Sequence, residues 1–201
     1  MVVGTIAIGQ TLIILTAGID LSCGMVMALG SIVMTKFAAD YGLSAPVAIL
    51  CGIAATTLFG LINGLLVTRV KLPPFIVTLG TLNIAFAITQ LYSRAQTVTN
   101  IPDGMNLLGE TFNFGGTRVA YGVMLMLMLY VATWIWLRDT AQGRHVYAVG
   151  DDIDAARLAG ISVNRVLMSV YMVAGVIFAL AAWIVIGRVT VASPNTGGDL
   201  N

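Results

Sequence analysis

The chain has 201 residues, of which 58% are hydrophobic and only 9% charged; its mean hydropathy is +0.94. A soluble domain carries about 25% charged residues, so the composition places this chain in the membrane class. The net charge of +1 offers no basic stripe of the kind that binds nucleic acid.

The first 39 residues read as two apolar helices, Val2–Ala17 and Cys23–Ala38, joined by the stretch Thr16–Gly24. Asp20 is the only charged side chain before Lys36. A carboxylate at membrane depth costs about 2.5–3.5 kcal/mol on insertion scales, so its presence asks for a reason. Gly18 and Gly24 loosen the backbone on either side. Asp20 and Ser22 are both residue types that cap helix N-termini. One reading is a helix break capped by local side chains. The other is a polar break facing a transport pathway, as broken helices do in transporters. The two are compatible.

A span needs about 20 apolar residues. Ala45–Val67, Leu72–Ser93, Val119–Leu137 and Val166–Gly187 qualify, which makes six hydrophobic segments and an all-α polytopic bundle. No alternating strands of the barrel type are visible. In the third segment Gly52, Thr56, Gly60 and Gly64 recur every four residues, a groove of small side chains that lets another helix approach closely. Asn63 lies beside it and needs a partner. Pro73 and Pro74 suit the first turn of the fourth segment. That segment is unusually polar, with Thr78, Thr81, Asn83, Thr89 and Gln90. The threonines can bond back to their own helix; Asn83 and Gln90 are the candidates for a polar pathway.

Gln96–Arg118 reads as a polar external loop containing a short surface helix. Tyr92, Tyr121, Tyr130, Trp134 and Trp136 lie towards span ends, as an aromatic belt does. His145 is the only histidine, and Cys23 and Cys51 lack metal or redox spacing. No cofactor or metal site is expected, and one intramembrane acid does not furnish an intramembrane enzyme.

The loops 68–72 and 138–165 carry Arg69, Lys71, Arg138, Arg144, Arg157 and Arg165, six of the ten basic residues. Alternating spans put both on one side, and the positive-inside rule makes that side cytoplasmic. The second loop runs G-R-H-V-Y-A-V-G-D-D-I-D-A-A-R-L-A-G-I from Gly143. Asp151 or Asp152 caps a short helix through Leu158, ended by Gly160 and bounded on its other side by Gly150. It is either a solvated connector or a docking helix for a cytoplasmic partner.

Four stretches in chain order resemble the permease subunit of monosaccharide ABC importers of the ribose/fructose type. They are G-I-D-L-S-C-G from Gly18, I-N-G-L-L-V-T-R-V-K-L-P-P-F-I-V-T-L-G from Ile62, G-R-H-V-Y-A-V-G from Gly143 and D-A-A-R-L-A-G-I from Asp154. The resemblance implies a transport subunit without chemistry of its own in the bacterial inner membrane. It implies a cytoplasmic ATP-binding cassette ATPase, a periplasmic sugar-binding protein and a second permease copy as partners. It makes residues 138–165 the ATPase-coupling loop, carried by Gly143, Arg144, Gly150, Asp154, Ala155, Ala156, Arg157 and Gly160. Asp154 stands where the family pattern prefers Glu. Family permeases run to about three hundred residues, so residues 1–201 are expected to be one permease domain truncated at both ends. A secondary transporter or channel for a small polar solute is the alternative; it needs no ATPase and usually places more ionisable groups in its spans.

Overall fold

A computed structural model describes residues 1–99 and 101–198. Six apolar helices cross in alternation: α1 (Val2–Ile14), α2 (Cys23–Tyr41), α3 (Ala45–Leu65), α4 (Pro74–Ser93), α5 (Tyr121–Asp139) and α8 (Val163–Val189). Five of them are long and apolar enough to cross a membrane; α1, with 13 residues, is about 20 Å long at 1.5 Å per residue. Two further helices, α6 (Ala141–Asp151) and α7 (Ile153–Leu158), lie between α5 and α8.

The expected segments are all present, with boundaries set by local chemistry. Gly42 closes α2 in the left-handed region at φ 65°, which glycine adopts at no steric cost. Beyond Leu65, α3 widens into a π-helical turn, Leu66–Val70. Pro74 opens α4, where a missing N–H costs nothing.

The connection between α4 and α5 adds a small non-helical piece to the helical bundle. It holds a 3-10 turn at Met105–Gly109 and a hairpin of β1 (Thr111–Phe114) and β2 (Thr117–Ala120), with Thr111 opposite Ala120. Gly115 and Gly116 both have positive φ, as a two-residue hairpin turn demands.

The core gathers on α8, whose Tyr171, Ala174, Phe178, Ala181 and Ile184 are buried. The small-residue groove of α3 is filled by protein. A methyl group on Gly60 would collide with the Tyr171 carbonyl, and one on Gly64 would touch the Met168 backbone. On the other flank Gly52 packs on Met34 of α2. The stripe serves helix packing. By contrast α5 stands at the margin, with only Gly122 and Leu137 buried.

The chain's direction gives the bundle two ends. One carries the hairpin, the 3-10 turn and the α2–α3 connection. The other carries the α1–α2 break, the Leu66–Lys71 turn, α6 and α7. The two basic loops therefore lie together, on the same end as the break.

Candidate functional site

The break between α1 and α2 is a closed polar knot. Helix α1 ends in paired reversal bonds: Ala17 N–H donates to the Ile14 carbonyl at 2.9 Å and Gly18 N–H to Ile13 at 3.0 Å. This is a Schellman closure, and it places Ala17 at φ 57°. The left-handed position thus falls on Ala17 and not on Gly18. Gly18 is small for another reason: a methyl group there would sit 2.9 Å from Ile13 and 3.3 Å from the Tyr171 hydroxyl.

Asp20 is 3% exposed. Its Oδ1 accepts the Ser22 N–H at 2.7 Å and the Ser22 hydroxyl at 2.6 Å. Ser22 occupies the N-cap position of α2, yet its side chain makes no capping bond. The capping expectation is corrected accordingly: the carboxylate folds the turn into Ser22, and the Ser22 hydroxyl donates to the carboxylate instead of capping α2. Asn63 Nδ2, from α3, donates to the same hydroxyl at 3.2 Å, which supplies the partner Asn63 needed.

The backbone of the break is satisfied from two other helices. Gln10 Nε2 of α1 donates to the Asp20 carbonyl at 2.6 Å, and Thr78 Oγ1 of α4 to the Ile19 carbonyl at 3.2 Å. An unsatisfied backbone group in lipid costs several kcal/mol, so these side chains permit an irregular segment at this depth. Three buried acceptor atoms of the knot have no partner: Gln10 Oε1, Asn63 Oδ1 and the Tyr171 hydroxyl oxygen.

Asp20, Ser22 and Asn63 are therefore brought together, and Gln10, Thr78 and Tyr171 join them. Asn83 and Gln90 do not. Asn83 is exposed and donates to Leu79 of its own helix at 2.8 Å. Gln90 donates to Asn195 at 2.7 Å, near the opposite end of α4. Thr81 and Thr89 bond back within α4.

The second cluster is the α6–α7 unit. Thr140 caps α6 by accepting the Gly143 N–H at 3.0 Å. Asp152, rather than Asp151, caps α7, its Oδ1 accepting the N–H groups of Asp154 and Ala155 at 2.8 and 2.9 Å. Gly160 follows at φ 83°. Arg144, Asp154, Ala155 and Arg157 are exposed, and Arg157 pairs with Asp154 at 2.9 Å. Ala156 is not on the outer face: it is 4% exposed and packs with Val149 and Val163. Gly143 and Gly150 are close-contact residues as well. A methyl group on Gly143 would strike the Leu137 backbone, and one on Gly150 the Leu15 carbonyl. Helix α6 thus rests on the start of the break.

A cavity of about 440 Å³ separates the two clusters. Thr16, Gly18 and Tyr171 line it on one side, Ile153 and Arg157 on the other, with Lys71 and Pro73 between. Among the described residues no group of His, Cys, Asp and Glu is placed to hold a metal ion. The arrangement is that of a polar joint under two short helices.

A family profile described as "Branched-chain amino acid transport system / permease component" matches residues 1–201. The fructose import permease protein of Rhizobium meliloti is 46% identical over 100% of this chain and 57% of its own length. The ribose import permease protein of Bacillus subtilis (strain 168) is 35% identical over 96% of this chain and 60% of its own. The galactofuranose transporter permease protein of Escherichia coli (strain K12) is 35% identical over 98% and 56%. The chain thus spans less than two thirds of the length of these curated relatives. No solved structure matches it.

Proposed function

The chain belongs to this permease family along its whole length, and from that premise we propose that it is the membrane-spanning part of an ATP-driven importer for a monosaccharide of the ribose or fructose class. It is a multi-pass protein of the inner membrane and a non-enzymatic transport component. The partners in this reading are a separate cytoplasmic ATPase, a periplasmic sugar-binding protein and a second permease copy. The observation that carries it is the buried knot at Asp20, held by three other helices and seated under α6 and α7.

Transport by alternating access needs an element with two arrangements and a partner that binds them differently. The α6–α7 unit has an outer face for such a partner, and its Gly150 presses on the Leu15 carbonyl at the edge of the break. A push on α7 therefore reaches the break through α6 and the Gly150–Leu15 contact. Gln10 Oε1, Asn63 Oδ1 and the Tyr171 oxygen accept no bond in the closed arrangement. Opening presents them to sugar hydroxyl groups, which donate as well as accept.

The assembled importer in liposomes is expected to take up labelled ribose or fructose with ATP on the cytoplasmic side and no ion gradient. Uptake driven by an ion gradient in the absence of ATP overturns this reading in favour of a secondary transporter.

The orientation has its own test. Single cysteines at Asn113, in the exposed hairpin, and at Ala155, exposed on α7, are placed in a background lacking Cys23 and Cys51. An impermeant thiol reagent on cells with a permeable outer membrane is expected to label Asn113→Cys and spare Ala155→Cys. The reverse pattern inverts the topology.

A further inference from the structure

Beside α7 lies a second cavity, of about 590 Å³, lined by Arg69, Lys71, Arg157, Asn164 and Arg165. Arg157 is engaged by Asp154. Arg69, Lys71 and Arg165 are exposed and form no ion pair among the described residues. Three unpaired cations thus face one cavity, between the end of one span and the start of another.

A separate, apolar groove lies on the same two spans. It has a volume of about 490 Å³ and runs between α3 and α8, lined by Leu58, Leu61, Met172 and Val176 among others. Met168 lines the basic cavity while Met172 and Val176 line the groove. Residues four apart share a helix face, so groove and cavity follow one face of α8. On α3 the same spacing leads from Leu61 through Leu65, which is 38% exposed, to Arg69 in the adjoining turn. The basic cluster therefore lies beyond one end of the groove, where the two spans meet their connecting loops.

We propose that the chain binds an anionic phospholipid here, its phosphate held by Arg69, Lys71 and Arg165 and an acyl chain lying in the α3–α8 groove. Basic pockets between span ends recognise such headgroups by charge, and the groove supplies the complementary apolar wall. A free phosphate uses only the cations; a zwitterionic lipid uses the groove without needing the net charge. The site requires that the chain spans a membrane, not that it imports a sugar.

The test is native mass spectrometry of the chain purified from membranes, titrated with phosphatidylglycerol, phosphatidylcholine or inorganic phosphate. Phosphatidylglycerol is expected to bind at least tenfold tighter than phosphatidylcholine. The triple variant R69Q/K71Q/R165Q, altered only at exposed positions, is expected to lose that preference. Ala54→Trp fills the groove from another exposed, groove-lining position and is expected to weaken phosphatidylglycerol binding while leaving phosphate binding alone. Equal binding of the two lipids overturns the proposal. So does undiminished lipid binding by the triple variant. Displacement of the lipid by phosphate, with no effect of Ala54→Trp, reduces the site to an anion pocket and also overturns it. Absence of bound phosphatidylglycerol on the unaltered chain likewise overturns it.

Discussion

Asp20→Leu, carried in the complete importer, is expected to insert into the membrane at least as well as the unaltered chain and to lower sugar uptake at least tenfold. Two effects oppose each other. Removing a carboxylate from between two apolar helices favours insertion, by at most the roughly 2.5–3.5 kcal/mol that applies at the centre of a span. Against this, Oδ1 accepts both the Ser22 N–H and the Ser22 hydroxyl, and each buried donor left unsatisfied costs about 1–3 kcal/mol. Insertion is governed by the first effect and the shape of the break by the second. Asp20→Asn keeps an acceptor oxygen in place, and is expected to keep most of the uptake. Membrane-fraction yield and initial uptake rate are the two measurements. Normal uptake by Asp20→Leu removes the carboxylate from the mechanism, and an Asp20→Asn variant as inactive as Asp20→Leu moves its role from bond geometry to charge.

The knot was half legible in the sequence because its two halves are specified at different ranges. A lone Asp among apolar residues announces itself, and Asp20 with Ser22 two residues on is a local turn signal. Asn63 was conspicuous as an amide beside a glycine stripe. Gln10 and Tyr171 carried no comparable mark: one is a single amide in a helix, the other an aromatic among aromatics. Only the packing of α1 and α8 brings them to the break. Asn83 and Gln90 looked equivalent to Asn63 on polarity alone. The helix phase separates them, since Thr78, Thr81, Ala85 and Thr89 form the buried face of α4 and Asn83 lies off it.

The spans were legible from length and hydropathy, and their ends from proline and glycine. The hairpin at Thr111–Ala120 was not read, although Gly115-Gly116 between Phe114 and Val119 carries its turn signal. Its strands are four residues each, too short for alternation to stand out. Helix α6 was folded into a loop because Gly143 and Gly150 argue against a helix by propensity. Tertiary contact with Leu137 and Leu15 is what their missing side chains serve.

That same burial divides the residues of the α6–α7 unit. Leu158 is 90% exposed and Ile153 42% exposed, so α7 shows apolar side chains to whatever covers it. Ala156 points the other way, into the contact with Val149 and Val163. Leu158→Asp touches nothing within the chain. Burying a leucine against a partner contributes about 1.5–3 kcal/mol, so its loss is expected to weaken ATPase association by at least tenfold, tenfold being about 1.4 kcal/mol. Insertion and thermal stability are expected to stay unchanged. Ala156→Trp behaves differently. Overpacking of a small core costs about 1–3 kcal/mol, so ATPase association and stability are expected to fall together. Gly160→Val belongs with it, because a β-branched residue is strained at φ 83°. Co-purification of the ATPase, sugar-stimulated hydrolysis in liposomes and melting temperature are measured for all three. If Leu158→Asp keeps full association and full stimulated turnover, α7 is not the contact, and the proposed coupling from α7 to the Asp20 knot fails.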